Sequence, residues 1–170
     1  SEGDWILLQN EIANVDCAIE YAHARKLRVA LNPSPFDDVI SRCNLNYVDM
    51  LLINEVEGAE LTGAAEPEQI LSILRTQYMN LSVLLTLGEH GAIFVDSQGI
   101  RYHVPSVPCV VKDTTAAGDT FTGYFLTSYF KDYDVSRALA IAAAASSIAV
   151  SREGAASSIP YQCEVLTYMK

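Results

Sequence analysis

Short apolar runs recur along this chain, and stretches with helical spacing separate most of them. The runs are Trp5-Ile6-Leu7-Leu8, Val29-Ala30-Leu31, Met50-Leu51-Leu52-Ile53, Val83-Leu84-Leu85 and Ala92-Ile93-Phe94-Val95. Runs of this length between turn residues suit buried strands. Between the first two, Asn14 to Lys26 places Val15, Ala18, Ile19 and Ala22 at helical intervals, with Asn14 as the expected N-cap. Pro67 to Tyr78 predicts a second helix, with proline in its first turn and Ile70, Leu71 and Leu74 on one face. Strands that alternate with helices are expected to pair in parallel, because a parallel return needs a long crossover. The expected class is therefore layered α/β. Asn32-Pro33-Ser34-Pro35 should end the second strand, since proline lacks a ladder donor.

The second half changes pattern. Ala92 to Val95, Ser97-Gln98-Gly99 and Ile100 to His103 read as a hairpin. Two helices follow, about Gly118 to Phe130 and Val135 to Val150, the latter with Ala138, Ala142 and Ala145 allowing close packing. With no repeat, low-complexity tract or linker, residues 1–170 are expected to form one domain or most of one.

Charge and composition narrow the partners. The 11 Lys and Arg against 21 Asp and Glu give a formal charge of −10. Such a surface repels a phosphate backbone, so no nucleic acid partner is expected. A single nucleotide is not excluded, because helix-start N–H groups can bind an anion without net positive charge. The longest apolar stretch, Ala138 to Val150, is interrupted by Ser146 and Ser147 and is too short to span a bilayer. No charged segment leading into an apolar one opens the chain, so a cytoplasmic protein without a membrane partner is expected. Ser1 to Asp4 lead straight into a strand pattern, as if the chain began within a fold. Cys17, Cys43, Cys109 and Cys163 show no C-x-x-C spacing and read as reduced thiols.

The segment richest in chemistry is Asp113-Thr114-Thr115-Ala116-Ala117-Gly118-Asp119-Thr120-Phe121. Small residues before a helix let backbone N–H groups face outward where the macrodipole adds positive charge, which suits phosphate. Asp119, in the first helical turn, could take a proton from a hydroxyl that attacks phosphorus. The plainer reading is an ordinary helix start, with Thr114 or Thr115 as cap. Three further stretches also carry two readings. Asn54-Glu55-Val56-Glu57 puts an amide and a carboxylate at a strand's C-terminal end, where α/β sheets bind ligands, or Asn54 simply caps a helix over 55–61. Thr86-Leu87-Gly88-Glu89-His90-Gly91 allows close backbone approach at two glycines, or is a plain turn with a solvated His90. Ile148 to Pro160 is an oxygen-rich loop, or a helix end marked by Gly154 and Pro160.

Together these stretches resemble the ribokinase-like (PfkB) carbohydrate kinases, and Thr-Thr-Ala-Ala-Gly-Asp is the form common among the ribose-specific members. The resemblance implies a three-layer α/β/α fold with a mostly parallel central sheet, of which the N-terminal part and the lid are missing. It implies ATP-dependent phosphorylation of a sugar hydroxyl, most closely ribose to ribose 5-phosphate. Asp119 would be the base and also contact the sugar, with Ala116, Ala117 and Gly118 forming the anion hole. Asn54 and Glu57 would lie near the triphosphate, Glu57 reaching magnesium (Mg2+) through water. Thr86, Gly88 and Gly91 would run beside the nucleotide. A monovalent cation, potassium (K+), would take the Asp113 carboxylate, the carbonyls of Thr115, Ala149, Arg152 and Gly154, and the Ser158 hydroxyl, with Ser157 the alternative for the last. Glu11, after the first strand, would reach the sugar. Family members dimerise through the lid. The alternatives are a catalytically incomplete nucleotide-binding fragment, a regulatory module of the same fold, or a structural α/β domain. Without the acceptor-gripping half, residues 1–170 alone are expected to have little kinase activity.

Overall fold

The computed structural model describes residues 1–132 and 134–170. Its strands are β1 (Trp5–Gln9), β2 (Arg28–Asn32), β3 (Met50–Asn54), β4 (Ser82–Thr86), β5 (Ala92–Val95) and β6 (Arg101–Val104). Its α-helices are α1 (Val15–Ala24), α2 (Asp38–Arg42), α3 (Glu55–Thr62), α4 (Pro67–Gln77), α5 (Ala117–Asp132), α6 (Val135–Val150) and α7 (Gln162–Tyr168). Every apolar run singled out above is a strand, and the class is α/β as expected.

The sheet runs in the order β1-β2-β3-β4-β5-β6. β1 pairs with β2 in parallel, from Trp5 opposite Arg28 to Gln9 opposite Asn32, and β2 pairs with β3 in parallel through Ala30–Met50 and Leu31–Leu51. Helices fill the connections among the first four strands. Residues 87–91 and 96–100 are too few for a crossover, so β4, β5 and β6 run up and down. The sheet is therefore mixed, with its parallel part first in sequence.

Two details differ from the sequence reading. Asn14 stands at the N-cap of α1, but its backbone is left-handed (φ 63°) and its side chain makes no capping bond. Asparagine tolerates that region, which turns the chain into the helix without a side-chain cap. The short helices α2 and α7 were not anticipated, because neither is long enough to show a hydrophobic period. Local capping starts both. The Asp37 carboxylate accepts from Val39 and Ile40 N–H at 2.8 and 3.2 Å, and Glu164 accepts from Tyr161 N–H at 2.7 Å.

The chain divides into two compact units, residues 1–85 with 94–101, and residues 86–93 with 102–170. In the first, the parallel strands and helices bury Ile19, Val29, Leu31, Leu51, Ile70 and Leu74. Helices α3 and α4 meet closely at Gly58, where a Cβ would lie 2.9 Å from the Ile70 side chain. In the second, α6 buries its alanines 138, 142 and 145, and α7 adds Val165 to a cluster with Ile141, Ala144, Ala145 and Ile148. Among the described residues, no helix is long and apolar enough to cross a membrane.

Candidate active site

The Asp113–Asp119 segment belongs to the second unit, and its shape begins with Asp113. One carboxylate oxygen accepts from Thr115 N–H at 2.9 Å and the other from Gly154 N–H at 3.0 Å. Hydrogen bonds from Thr115, through side chain and backbone, and from Gly154 hold this carboxyl below its usual range. Both Lys112 and Asp113 donate their N–H to the Val150 carbonyl, at 2.8 and 3.2 Å. The turn before α5 is thereby fastened to the loop after α6.

Ala116 then adopts φ 62°, a left-handed conformation rare for a residue with a side chain. It reverses the chain so that α5 starts at Ala117. Ala117 N–H donates to Thr114 O at 3.2 Å, and Thr120 N–H donates to Ala116 O at 2.9 Å. Among the described hydrogen bonds none uses the N–H of Gly118 or Asp119, as expected for a first helical turn. Both residues are exposed, and nothing lies within 4 Å of where a Gly118 Cβ would stand. The turn thus presents free donors, the positive end of a 16-residue helix and one carboxylate, an arrangement suited to an anion beside a proton acceptor.

Beside this turn lies a cavity of about 780 Å³, wholly within the second unit. Thr86, Gly88 and Gly91 line it, and so do Thr114, Ala117 and Gly118. Gly91 disfavours a side chain on two counts, because its φ is 89° and a Cβ would stand 2.0 Å from the Val104 carbonyl. The volume is in the range of small-molecule sites, and the lining is mostly apolar with a few polar groups. Ala116 and Asp119 do not line the cavity itself.

The sequence reading missed much of that lining, including Ser106 to Cys109, Val111, Phe121, Ala143, Ser146 and Ser147. The residues from 105 to 111 carry no period and no motif, although Pro105 and Pro108 signal an irregular path. Ser106 Oγ donates to Glu89 O at 2.5 Å, which holds this segment to the Gly88–Gly91 turn. Ser146 was noted only as an interruption of an apolar stretch. Its Oγ donates to Ala117 O at 3.2 Å.

Of the expected cation ligands, Asp113 and Gly154 meet directly, while Ala149 O already accepts from Arg152 N–H at 3.0 Å. Ser158 is fully buried and donates to Ala155 O at 2.7 Å, whereas Ser157 is exposed. Arg152 pairs with Glu164 at 2.6 Å. That contact and the Tyr161 N–H keep the Glu164 carboxyl low.

The other expected residues lie in the first unit. Asn54 Oδ1 accepts from Glu57 N–H and Glu57 Oε2 accepts from Asn54 N–H, both at 2.9 Å, so the pair closes a capping box on α3. Glu57 is buried. Glu11 is exposed in the turn after β1.

The pfkB family carbohydrate kinase profile matches residues 3–162. The chain is 31% identical over 176 residues to a ribokinase of Haemophilus influenzae, covering 100% of this chain and 57% of that protein. It is 35% identical over 169 residues to a ribokinase of Schizosaccharomyces pombe, covering 94% and 53%. The structure of Arabidopsis thaliana ribokinase complexed with ribose and ATP superposes with a TM-score of 0.83 at 29% identity, covering 98% of this chain and 55% of that one. The chain spans about half the length of these curated relatives.

Proposed function

The chain belongs to the pfkB family of carbohydrate kinases, and from that premise we propose that it supplies the nucleotide site and the base for ATP-dependent phosphorylation of a sugar hydroxyl. The observation that carries this reading is the first turn of α5, where unshared Gly118 and Asp119 N–H groups and the Asp119 carboxylate open beside the 780 Å³ cavity. The nucleotide would occupy that cavity along Thr86, Gly88 and Gly91. The γ-phosphoryl group would face the Ala116-Ala117-Gly118 turn.

In the reaction, the sugar hydroxyl oxygen forms a bond to the γ-phosphorus as the bond to the β,γ-bridging oxygen breaks. ADP leaves with that electron pair, and the hydroxyl proton passes to Asp119. Asp119 orients the hydroxyl and accepts its proton, a role worth ~10²–10⁴-fold in rate. The Gly118 N–H meets charge on the transferred oxygens, and the helix dipole reinforces it. The open space at Gly118 admits a phosphoryl group without a clash.

Two cations fit the donor chemistry. Asp113 and the carbonyls of Thr115, Ala149, Arg152 and Gly154, with the Ser158 hydroxyl, form an oxygen-only set suited to potassium. Glu57 is assigned to magnesium through water, since magnesium prefers oxygen donors and retains waters, with Oε2 held by the Asn54 N–H and Oε1 left to face the ion's water. Such ions, when bound, would offset negative charge on phosphate oxygens. Glu11 is assigned to the sugar. Ribose is the favoured substrate, supported by the ribokinases among the relatives.

The test is a sugar panel with the whole protein that carries this sequence, following ADP release. Ribose should give a higher kcat/KM than deoxyribose or fructose, and Asp119→Asn should remove turnover while nucleotide affinity persists. Undiminished turnover in Asp119→Asn would sink the assignment of the base.

A further inference from the structure

We infer that Ser146 is a positioning residue for the anion-binding turn, its hydroxyl fixing the Ala117–Gly118 peptide so that the Gly118 N–H faces the transferred phosphoryl group. This inference rests on the proposed phosphoryl-transfer reading. Ser146 lies half-buried on α6 between Ala145 and Ser147, on the face that lines the cavity. A helical serine commonly bonds the carbonyl one turn back in its own helix. Ser146 instead donates to Ala117 O on α5 at 3.2 Å. The adjacent Ser147 behaves differently, its Oγ lying 3.5 Å from the Tyr168 hydroxyl.

The acceptor is the informative part. Ala117 O and the Gly118 N–H belong to one peptide unit, which is planar and trans. Holding the carbonyl therefore sets the direction of the N–H on the other side. A hydrogen bond at the carbonyl also polarises the same N–H, making it a better donor. The helical bonds of α5 already orient this peptide, and the Ser146 bond adds a restraint from a second helix at a glycine where nothing packs in the place of a Cβ. Ser146, Ala117 and Gly118 all line the same cavity, so the hydroxyl acts from the wall of the site. Its single proton is committed to Ala117, which leaves the nucleotide no donor from Ser146.

A device of this kind should matter more as charge develops on the phosphoryl oxygens than in the ground state. Removing an oxyanion donor outright costs ~10²–10³-fold in kcat, and losing only its alignment should cost less, about 10-fold. The experiment compares Ser146→Ala and Ser146→Thr with the parent, in the whole protein that carries this sequence. It measures kcat, KM for ATP, affinity for ADP alone, affinity for ADP with aluminium fluoride, and thermal melting. Ser146→Ala should lower kcat about 10-fold and weaken the fluoride complex by the same factor. Its KM for ATP, its ADP affinity and its melting temperature should stay near the parent values, and Ser146→Thr should recover the loss. A fluoride complex as tight as the parent's would overturn the inference. So would an equal loss for ADP alone, which would make Ser146 a nucleotide contact instead. If the parent forms no ADP complex at all, the phosphoryl-transfer reading itself falls, a result distinct from either of these.

Discussion

Two helix starts in this molecule use similar residues to opposite ends. At α3, Asn54 and Glu57 satisfy each other's backbone N–H, and Glu57 is buried. At α5, Ala116 turns left-handed, Asp113 spends its carboxylate on Thr115 and Gly154, and the N–H groups of Gly118 and Asp119 remain open. The first arrangement is closed and stabilises a helix. The second leaves exposed donors unshared, open to water or to an anion. An acidic residue in a first turn is thus no guide to function until its partners are known.

The largest effect should come from breaking the open turn. Asp119→Asn should lower kcat by ~10²–10⁴-fold, because the amide can still orient a hydroxyl but cannot take its proton. Nucleotide affinity, read by calorimetry, should change little, since Asp119 does not line the cavity. Next comes the glycine turn that also lines the cavity. Gly91→Ala places a Cβ 2.0 Å from the Val104 carbonyl at a φ of 89°. The backbone must move, and a loss of about 2–4 kcal/mol in denaturant unfolding is expected, with weakened nucleotide binding. Wild-type stability and affinity in Gly91→Ala would show that this turn does not shape the site.

These positions were legible in the sequence to different degrees, for physical reasons. Gly91 and Gly118 stood out because glycine beside a strand or helix end is a local signal, and Asp119 because it is a carboxylate in the first turn that follows. The strands were legible because runs such as Met50–Ile53 are bounded by turn residues. Ser146 was not legible as part of the site. Its significance depends on a hydrogen bond to a residue 29 positions earlier, and no local pattern encodes that. Ser106 was missed for the same reason, and α2 and α7 because their caps, not a hydrophobic period, define them. For Asn54 both readings were open, and the capping bond is present whatever else the pair does.

That double role can be separated. Asn54→Ala removes the cap and should cost about 1 kcal/mol of stability. Glu57→Gln keeps an oxygen for the Asn54 N–H but discards the charge, so its stability should fall by less. If Glu57 also reaches magnesium, Glu57→Gln should raise the magnesium concentration needed for half-maximal turnover, and Asn54→Ala should not do so to the same degree. Equal magnesium dependence in both variants and the parent would leave the pair a structural cap only.

The smallest effect should carry the sharpest contrast, because its sign should differ between the two helix starts. Asn54→Gly loses a side-chain acceptor and should cost a few tenths of a kcal/mol. Ala116→Gly relieves a left-handed conformation that costs a residue with a Cβ about 1–2 kcal/mol. The added freedom of glycine in the unfolded chain takes back about 0.4–1 kcal/mol. The net change at 116 should therefore be neutral to slightly stabilising, measured as an unchanged or higher denaturant midpoint. Turnover should move the other way, since a glycine pair at 116 and 118 around Ala117 would hold the donors less firmly. A stability loss at 116 as large as at 54 would mean that the left-handed turn is no strained feature, and the contrast between the two helix starts would lose its physical basis.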